Sequence, residues 1–117
     1  MEIKNTLRKV IENYKIENED LEQDDCDETV LYELFMNRDS KNLIIDKKLE
    51  KSLFDTENVI FTKIDESKLE VMLFSDGYEG YRLTLEDDNG KLKVVSSEKV
   101  NEDIINNTED LDISELI

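Results

Sequence analysis

Carboxylates are the reactive groups this chain has in quantity, and they are crowded. Residues 17–28, ENEDLEQDDCDE, hold Glu17, Glu19, Asp20, Glu22, Asp24, Asp25, Asp27 and Glu28 with no lysine or arginine among them. Carboxylates at that density suit three kinds of chemistry: general acid–base catalysis, ligation of a hard cation, or presentation of negative charge to a basic partner. The first needs a cleft that drives two carboxyl pKa values apart, and a chain without tryptophan has little aromatic surface to line one. For the second, the calcium loop of an EF-hand fixes where its glycine falls relative to its first ligand. Setting that glycine at Gly90 puts Leu85 at the first ligand position, and setting it at Gly77 puts Met72 there, so neither fits. Asp87, Asp88 and Asn89 then read as a turn, and Asp24, Asp25, Asp27 and Glu28 as part of the charge run.

The other reactive side chains narrow the field further. Histidine is absent, which removes the commonest general base, the Ser-His-Asp and Cys-His arrangements and most zinc sites. Cys26 is the one cysteine. It has no partner for an internal disulfide, and the carboxylates around it oppose its thiolate form. No glycine-rich phosphate-cradling pattern occurs. The expectation is a protein that is not an enzyme and that takes no cofactor and no metal.

Presentation of charge remains. The chain has 31 acids against 15 bases, a net charge of -16, and the imbalance is uneven. Residues 1–16 carry four bases and two acids, residues 17–28 carry eight acids alone, and residues 37–70 carry seven bases and eight acids. From Glu98 onward there are seven acids against Lys99. Such a chain is repelled by nucleic acid and by anionic membrane surfaces, so its expected partner is a basic protein: a nuclease or another nucleic-acid-binding protein. The candidate contact residues are the eight acids of residues 17–28, with Glu109, Asp110 and Asp112 as a second patch. There is no apolar run long enough to span a bilayer and no signal-peptide pattern. With a lone cysteine and a composition rich in Asn, Ile and Lys, as in AT-rich genomes, this predicts the cytoplasm of a bacterium or of a phage-infected host.

These groups need a scaffold, and the apolar spacing supplies one. Ile3, Leu7, Val10, Ile11 and Tyr14 mark one face of a helix over residues 1–16. Val30, Leu31, Leu34 and Phe35 mark a second helix, with Asp27 as its N-cap. Residues 42–45 predict a short strand, and residues 46–54 a short helix with Leu49, Leu53 and Phe54 inward. From Asn58 the period becomes two. Val59, Phe61 and Lys63 alternate with Ile60, Thr62 and Ile64, and Leu69, Val71 and Leu73 alternate with Glu70, Met72 and Phe74, around a turn at residues 65–67. Apolar residues on both faces predict central places in the sheet for these two strands, and Gly77 and Gly80 are expected to supply positive φ angles in the next loop. Asn89-Gly90 favours a type I′ turn, which sets Asp88 opposite Lys91, Glu86 opposite Lys93 and Leu85 opposite Val94. A short helix is expected over residues 99–107.

The predicted fold is α+β: N-terminal helices packed on an antiparallel meander of about four strands, with acidic flexible segments. It is a single small acidic domain over residues 1–117, with 17–28 as an acidic linker or loop and 108–117 either docked as a last helix turn or strand or left as a flexible acidic-hydrophobic tail. In size and charge the chain is similar to the small acidic inhibitors that phages and mobile elements direct against host-defence nucleases, anti-CRISPR proteins among them. It is similar in the same way to the immunity proteins that neutralise nuclease toxins. That likeness is one of composition and transfers no residue assignments. It implies a non-enzymatic inhibitor, a nucleic-acid mimic, that blocks a basic site on its partner. The alternative is a generic interaction or adaptor domain whose acidity serves only solubility.

Overall fold

The computed structural model describes residues 2–18, 27–53, 55–76 and 79–112. Helix α1 (Ile3–Glu17) buries the face its spacing predicts: Ile3, Leu7, Val10, Ile11 and Tyr14, together with Thr6. Its start is fixed by the Ile3 amide, which donates to the Glu66 carbonyl at 2.9 Å. Helix α2 (Asp27–Met36) buries Val30, Leu31, Leu34 and Phe35. Asp27 is already helical rather than the N-cap. It and Glu28 lie in the first turn, where the helix dipole favours negative charge. The two helices are joined near their polar ends by the Asn37 side-chain amide, which donates to the Tyr14 hydroxyl at 2.9 Å.

Strand β1 (Leu43–Ile44) and helix α3 (Lys47–Ser52) follow. Asp46 caps α3 by accepting from the Lys48 and Leu49 amides at 2.8 and 3.4 Å. Leu53 is buried and Leu49 is packed against the core, while Phe54, the third expected inward residue, lies outside the described residues. The remaining elements are β2 (Asn58–Ile64), β3 (Lys68–Phe74), β4 (Gly80–Asp88), β5 (Lys91–Val100) and α4 (Glu102–Asn106). Lys99 and Val100, expected in the last helix, therefore complete β5 instead, and Asn101 caps α4 by accepting from the Ile104 amide.

Among the described residues the sheet has five strands in the order β1-β5-β4-β3-β2. It is mixed rather than a four-stranded antiparallel meander, because β1 pairs with β5 in parallel, Leu43 beside Leu92 and Ile44 beside Lys93. A two-residue strand shows no alternation, so neither its partner nor its direction can be read from spacing. The same order places β2 at an edge of the sheet, where a central position was expected. Its apolar outer face has another cause. Ile60 and Phe74 pack with Met72, Val100, Ile104 and Ile105 in a small second cluster, so α4 shields one end of the sheet face opposite α1 and α2.

Two β-bulges decide which side chains face which layer. Leu85 pairs with Val94 as the turn chemistry requires, but Thr84 pairs with Ser96, leaving Val95 as the extra residue. Beyond a bulge the alternation is inverted. Without this one, Leu92 and Val94 would be followed onto the helix-covered face by Ser96, Glu98 and Val100. With it, Val100 turns outward into the second cluster, and Glu98 lies opposite Arg82, whose guanidinium it meets at 2.9 Å. In β2 the register shifts between Phe61 and Lys63. This brings Ile64 to the same layer as Phe61, against the alternation expected from its spacing.

The β4–β5 turn itself is as expected, with Asn89 and Gly90 at φ 53° and 85°. Helix α1 crosses above it. The Thr6 hydroxyl donates to Asp87 at 2.8 Å, and the same carboxylate oxygen accepts from the Gly90 amide at 3.1 Å. Gly80 plays a different part from the expected one. Its φ is not positive; it opens β4 where any Cβ would run into the Leu73 carbonyl and lie 2.6 Å from the Phe74 Cβ.

Candidate functional site

The structure divides the eight acids of residues 17–28 between two helix ends and an interval outside the described residues. Glu17 is the last residue of α1, and Asp27 and Glu28 open α2, so the run is not wholly linker. Glu19, Asp20, Glu22, Asp24 and Asp25 lie outside the described residues. Among the described residues, the basic face of α1 meets this region where Lys15 lies 3.3 Å from Asp27.

The second patch is built from the other end of the chain. After α4 the Thr108 hydroxyl donates to the Ile104 carbonyl at 2.6 Å. Residues 109–112 then cross the edge of β2, and the Leu111 amide donates to the Phe61 carbonyl at 2.7 Å. The chain thus passes from α4 on one sheet face to α2 on the other. Asp110 comes within hydrogen-bonding reach of the Tyr32 hydroxyl, and Asp110 and Asp112 both act electrostatically on Glu28. Residues 108–112 of the expected tail are therefore seated on the domain. Glu109 is exposed beside them.

Tyr32 is the residue of this surface that sequence reasoning passes over. Its ring packs edge-on against Phe61, centroids 5.4 Å apart at 63°, while its hydroxyl reaches the tail. The one available signal is its spacing of four from Glu28, which sets both on one face of α2. Nothing in the spacing announces that the tail will arrive there.

The electrostatics follow from the convergence. Partial burial, then the like charges of Asp112 and Asp110, raise the Glu28 pKa above its ordinary value of 4.5. Burial, the charges of Asp110 and Glu28, and the hydrogen bond to Asp110 raise that of Tyr32. A raised carboxyl pKa means that the folded state prefers the neutral acid. The associated stability is fully present below the unfolded pKa and is lost as pH rises through the folded one. At neutral pH the Glu28 charge therefore opposes folding. Glu28→Gln is expected to stabilise the chain at pH 7 by about 0.5 kcal/mol, the scale of a solvent-screened charge pair. That gain should vanish below about pH 4. Urea unfolding at the two pH values measures it.

Among the described residues no group of three or more acidic or thiol side chains is disposed to hold a metal ion, and no helix is long and apolar enough to cross a membrane. A hollow of about 360 Å³ between α3 and β5 is lined by Asp46, Lys48, Leu49, Ser52, Val94 and Ser97 among others. Comparison with protein-family models, with curated proteins and with solved structures finds no match for the chain.

Proposed function

We propose that this chain is a non-enzymatic binding protein whose acidic surface occupies the basic nucleic-acid-binding site of a partner protein. The observation that carries the reading is the crossing of the β2 edge by residues 109–112, where the Leu111 amide bonds to the Phe61 carbonyl at 2.7 Å and Asp110 and Asp112 come within electrostatic range of Glu28. Two acidic blocks from opposite halves of the sequence share one surface, held there although their mutual repulsion works against it. Duplex DNA presents about one charge per 1.7 Å of axis. A surface that gathers carboxylates from a helix start and a crossing tail offers a basic groove a comparable density, and binding releases the groove's counterions. The partner class is a nuclease or other nucleic-acid-binding protein, and the biological setting is that of an anti-defence inhibitor, the anti-CRISPR type included, or of a nuclease-toxin immunity protein.

The test begins with partners captured from a low-GC bacterial lysate on the immobilised chain at low salt. A basic nucleic-acid-binding protein should be retained, released at high salt and displaced by added DNA or RNA. Exchanging Glu28, Glu109, Asp110 and Asp112 for their amides should then weaken that partner's affinity at least about tenfold at low salt and flatten its salt dependence. Retention through the high-salt wash of a partner without a basic groove, or an affinity indifferent to the four amides, rejects this surface as the interface. The adaptor reading has one observation of its own, the apolar Leu111 seated on the sheet edge. It predicts that Leu111→Ala weakens binding where the amides do not.

A further inference from the structure

The β4–β5 turn carries a reaction that its own sequence favours and its surroundings oppose. In an Asn-Gly step the glycine nitrogen can attack the asparagine side-chain carbonyl carbon, unhindered by a Cβ of its own. At this turn the Gly90 nitrogen would lose its proton to a base from solvent and bond to Asn89 Cγ. The Cγ–Nδ2 bond then breaks, and Nδ2 takes up a proton and leaves as ammonia. Water opens the resulting succinimide at either carbonyl. Position 89 is left as an aspartate, or as an isoaspartate whose main chain runs through its β-carbon. No electrons are exchanged, and water and a solvent base are the co-reactants.

Both reacting groups are tied elsewhere. The Gly90 amide donates to Asp87 Oδ1 at 3.1 Å, and the Asn89 side-chain amide donates to Asp88 at 3.2 Å. Removing the Gly90 proton would leave an anionic nitrogen facing a carboxylate. Gly90 is also buried, where an ionised group is disfavoured further. Helix α1 supplies the third hold. The Thr6 hydroxyl, 81 residues away in sequence, donates to the same Asp87 oxygen at 2.8 Å and fixes the carboxylate under the turn. The Lys9 side chain lies across Gly90, so close that a Cβ there would stand 2.6 Å from its Nζ and 3.0 Å from its Cδ. Its charge acts the other way, favouring an ionised nitrogen, so the hold is assigned to Thr6 and Asp87. Asn89 itself is exposed, so water reaches the carbonyl carbon while the nucleophile is withheld.

We infer that Asn89-Gly90 is a latent deamidation site, kept closed by α1 through the Thr6–Asp87–Gly90 bridge and opened when α1 lifts from the turn. Conversion makes that opening irreversible. An isoaspartate lengthens the main chain inside a two-residue turn whose geometry sets the pairs Asp88–Lys91 and Glu86–Lys93. Either product also adds a negative charge beside Asp87 and Asp88. Thr6 thereby gains a use that its place on the apolar face of α1 does not explain, for it is a buried polar residue among Ile3, Leu7 and Val10. The inference concerns the hairpin and α1 alone and stands apart from the reading of the acidic surface.

The full chain, kept in mildly alkaline buffer, is followed by peptide mapping with fragmentation that separates aspartate from isoaspartate. Its reference is a synthetic peptide of residues 85–94, which has no α1. Asn89 should convert at least about tenfold more slowly in the chain than in the peptide, the scale of a hydrogen bond to a charged group. As urea is raised below the unfolding transition, conversion should rise in step with hydrogen exchange at the Gly90 amide. Thr6→Val should speed conversion and Gly90 exchange together, by at least about threefold, while Thr6→Ser leaves both slow. Conversion as fast in the chain as in the peptide would overturn the inference. So would a Thr6→Val chain that exchanges Gly90 faster without converting Asn89 faster. Conversion that rises in urea only with global unfolding would overturn it too, and that series on the unaltered chain decides the matter even if Thr6→Val fails to fold.

Discussion

Phe61→Ala is expected to cost about 4 kcal/mol of folding stability, the range for removing a buried aromatic ring. For a domain of this size that is a large share of the roughly 5–15 kcal/mol available. Phe61 is 0% exposed, and its ring meets Phe35 and Tyr32 edge-on at centroid separations of 5.8 and 5.4 Å. It therefore joins the edge strand to α2, and truncation leaves a cavity bounded by two aromatic rings that have no other ring partner among the described residues. Phe61→Leu fills most of that space and should cost about 1.5 kcal/mol. Urea unfolding of the two variants measures both. The alanine variant should also loosen residues 109–112, because Tyr32, on which Asp110 acts, loses the ring that sets its orientation. A cost below about 1 kcal/mol for Phe61→Ala would mean that the ring is not packed as described.

The parts of this fold that the sequence discloses are those in which one residue type has one structural use. Asn89-Gly90 forces a turn, and the turn forces a register, so the hairpin was legible down to the pairing of Glu86 with Lys93. The helix faces of α1 and α2 were legible because several apolar residues repeat the same spacing. The bulge at Val95 was not, because one extra residue in a strand carries no characteristic side chain; its effect appears only as Val100 on the unexpected face. The edge position of β2 was hidden for a related reason. Ile60 is shielded by α4 and Phe61 is crossed by residues 109–112, so its composition is that of an inner strand although β3 is the one strand paired with it among the described residues. The candidate site was half legible. Charge counts picked out Glu28, Asp110 and Asp112 as members of two blocks, but that the blocks meet depends on the path of the tail, which no periodicity encodes. Tyr32 was passed over because an aromatic residue on an apolar helix face gives no sign that its hydroxyl has a separate partner.

Arg38→Ala is expected to cost about 3 kcal/mol, and Arg38→Gly about 1 kcal/mol less than that, an order set by two opposing features of one residue. Helix α2 ends with the Arg38 amide bonded to the Phe35 carbonyl and the Asp39 amide bonded to the Leu34 carbonyl, both at 3.2 Å. This is the Schellman pattern, which places a left-handed residue just past the helix and usually fills that place with glycine. Here Arg38 holds φ 48°, a strained conformation for a residue with a Cβ. The compensation lies in its guanidinium, which donates to the Met36 carbonyl at 2.8 Å, to the Thr56 hydroxyl at 2.7 Å and to the Leu53 carbonyl. The fork thereby clamps the end of α2 to the turn that follows α3. Burial lowers its pKa, and the charge of Glu50 opposes that shift. Alanine keeps the strain and loses the clamp, whereas glycine loses the clamp but relieves the strain. Lysine, a single point donor without the fork, should fall between arginine and alanine. Denaturant midpoints for the four side chains test the order. If glycine equals or exceeds arginine in stability, the clamp contributes nothing beyond the strain it imposes; if alanine equals glycine, the backbone at residue 38 is not strained.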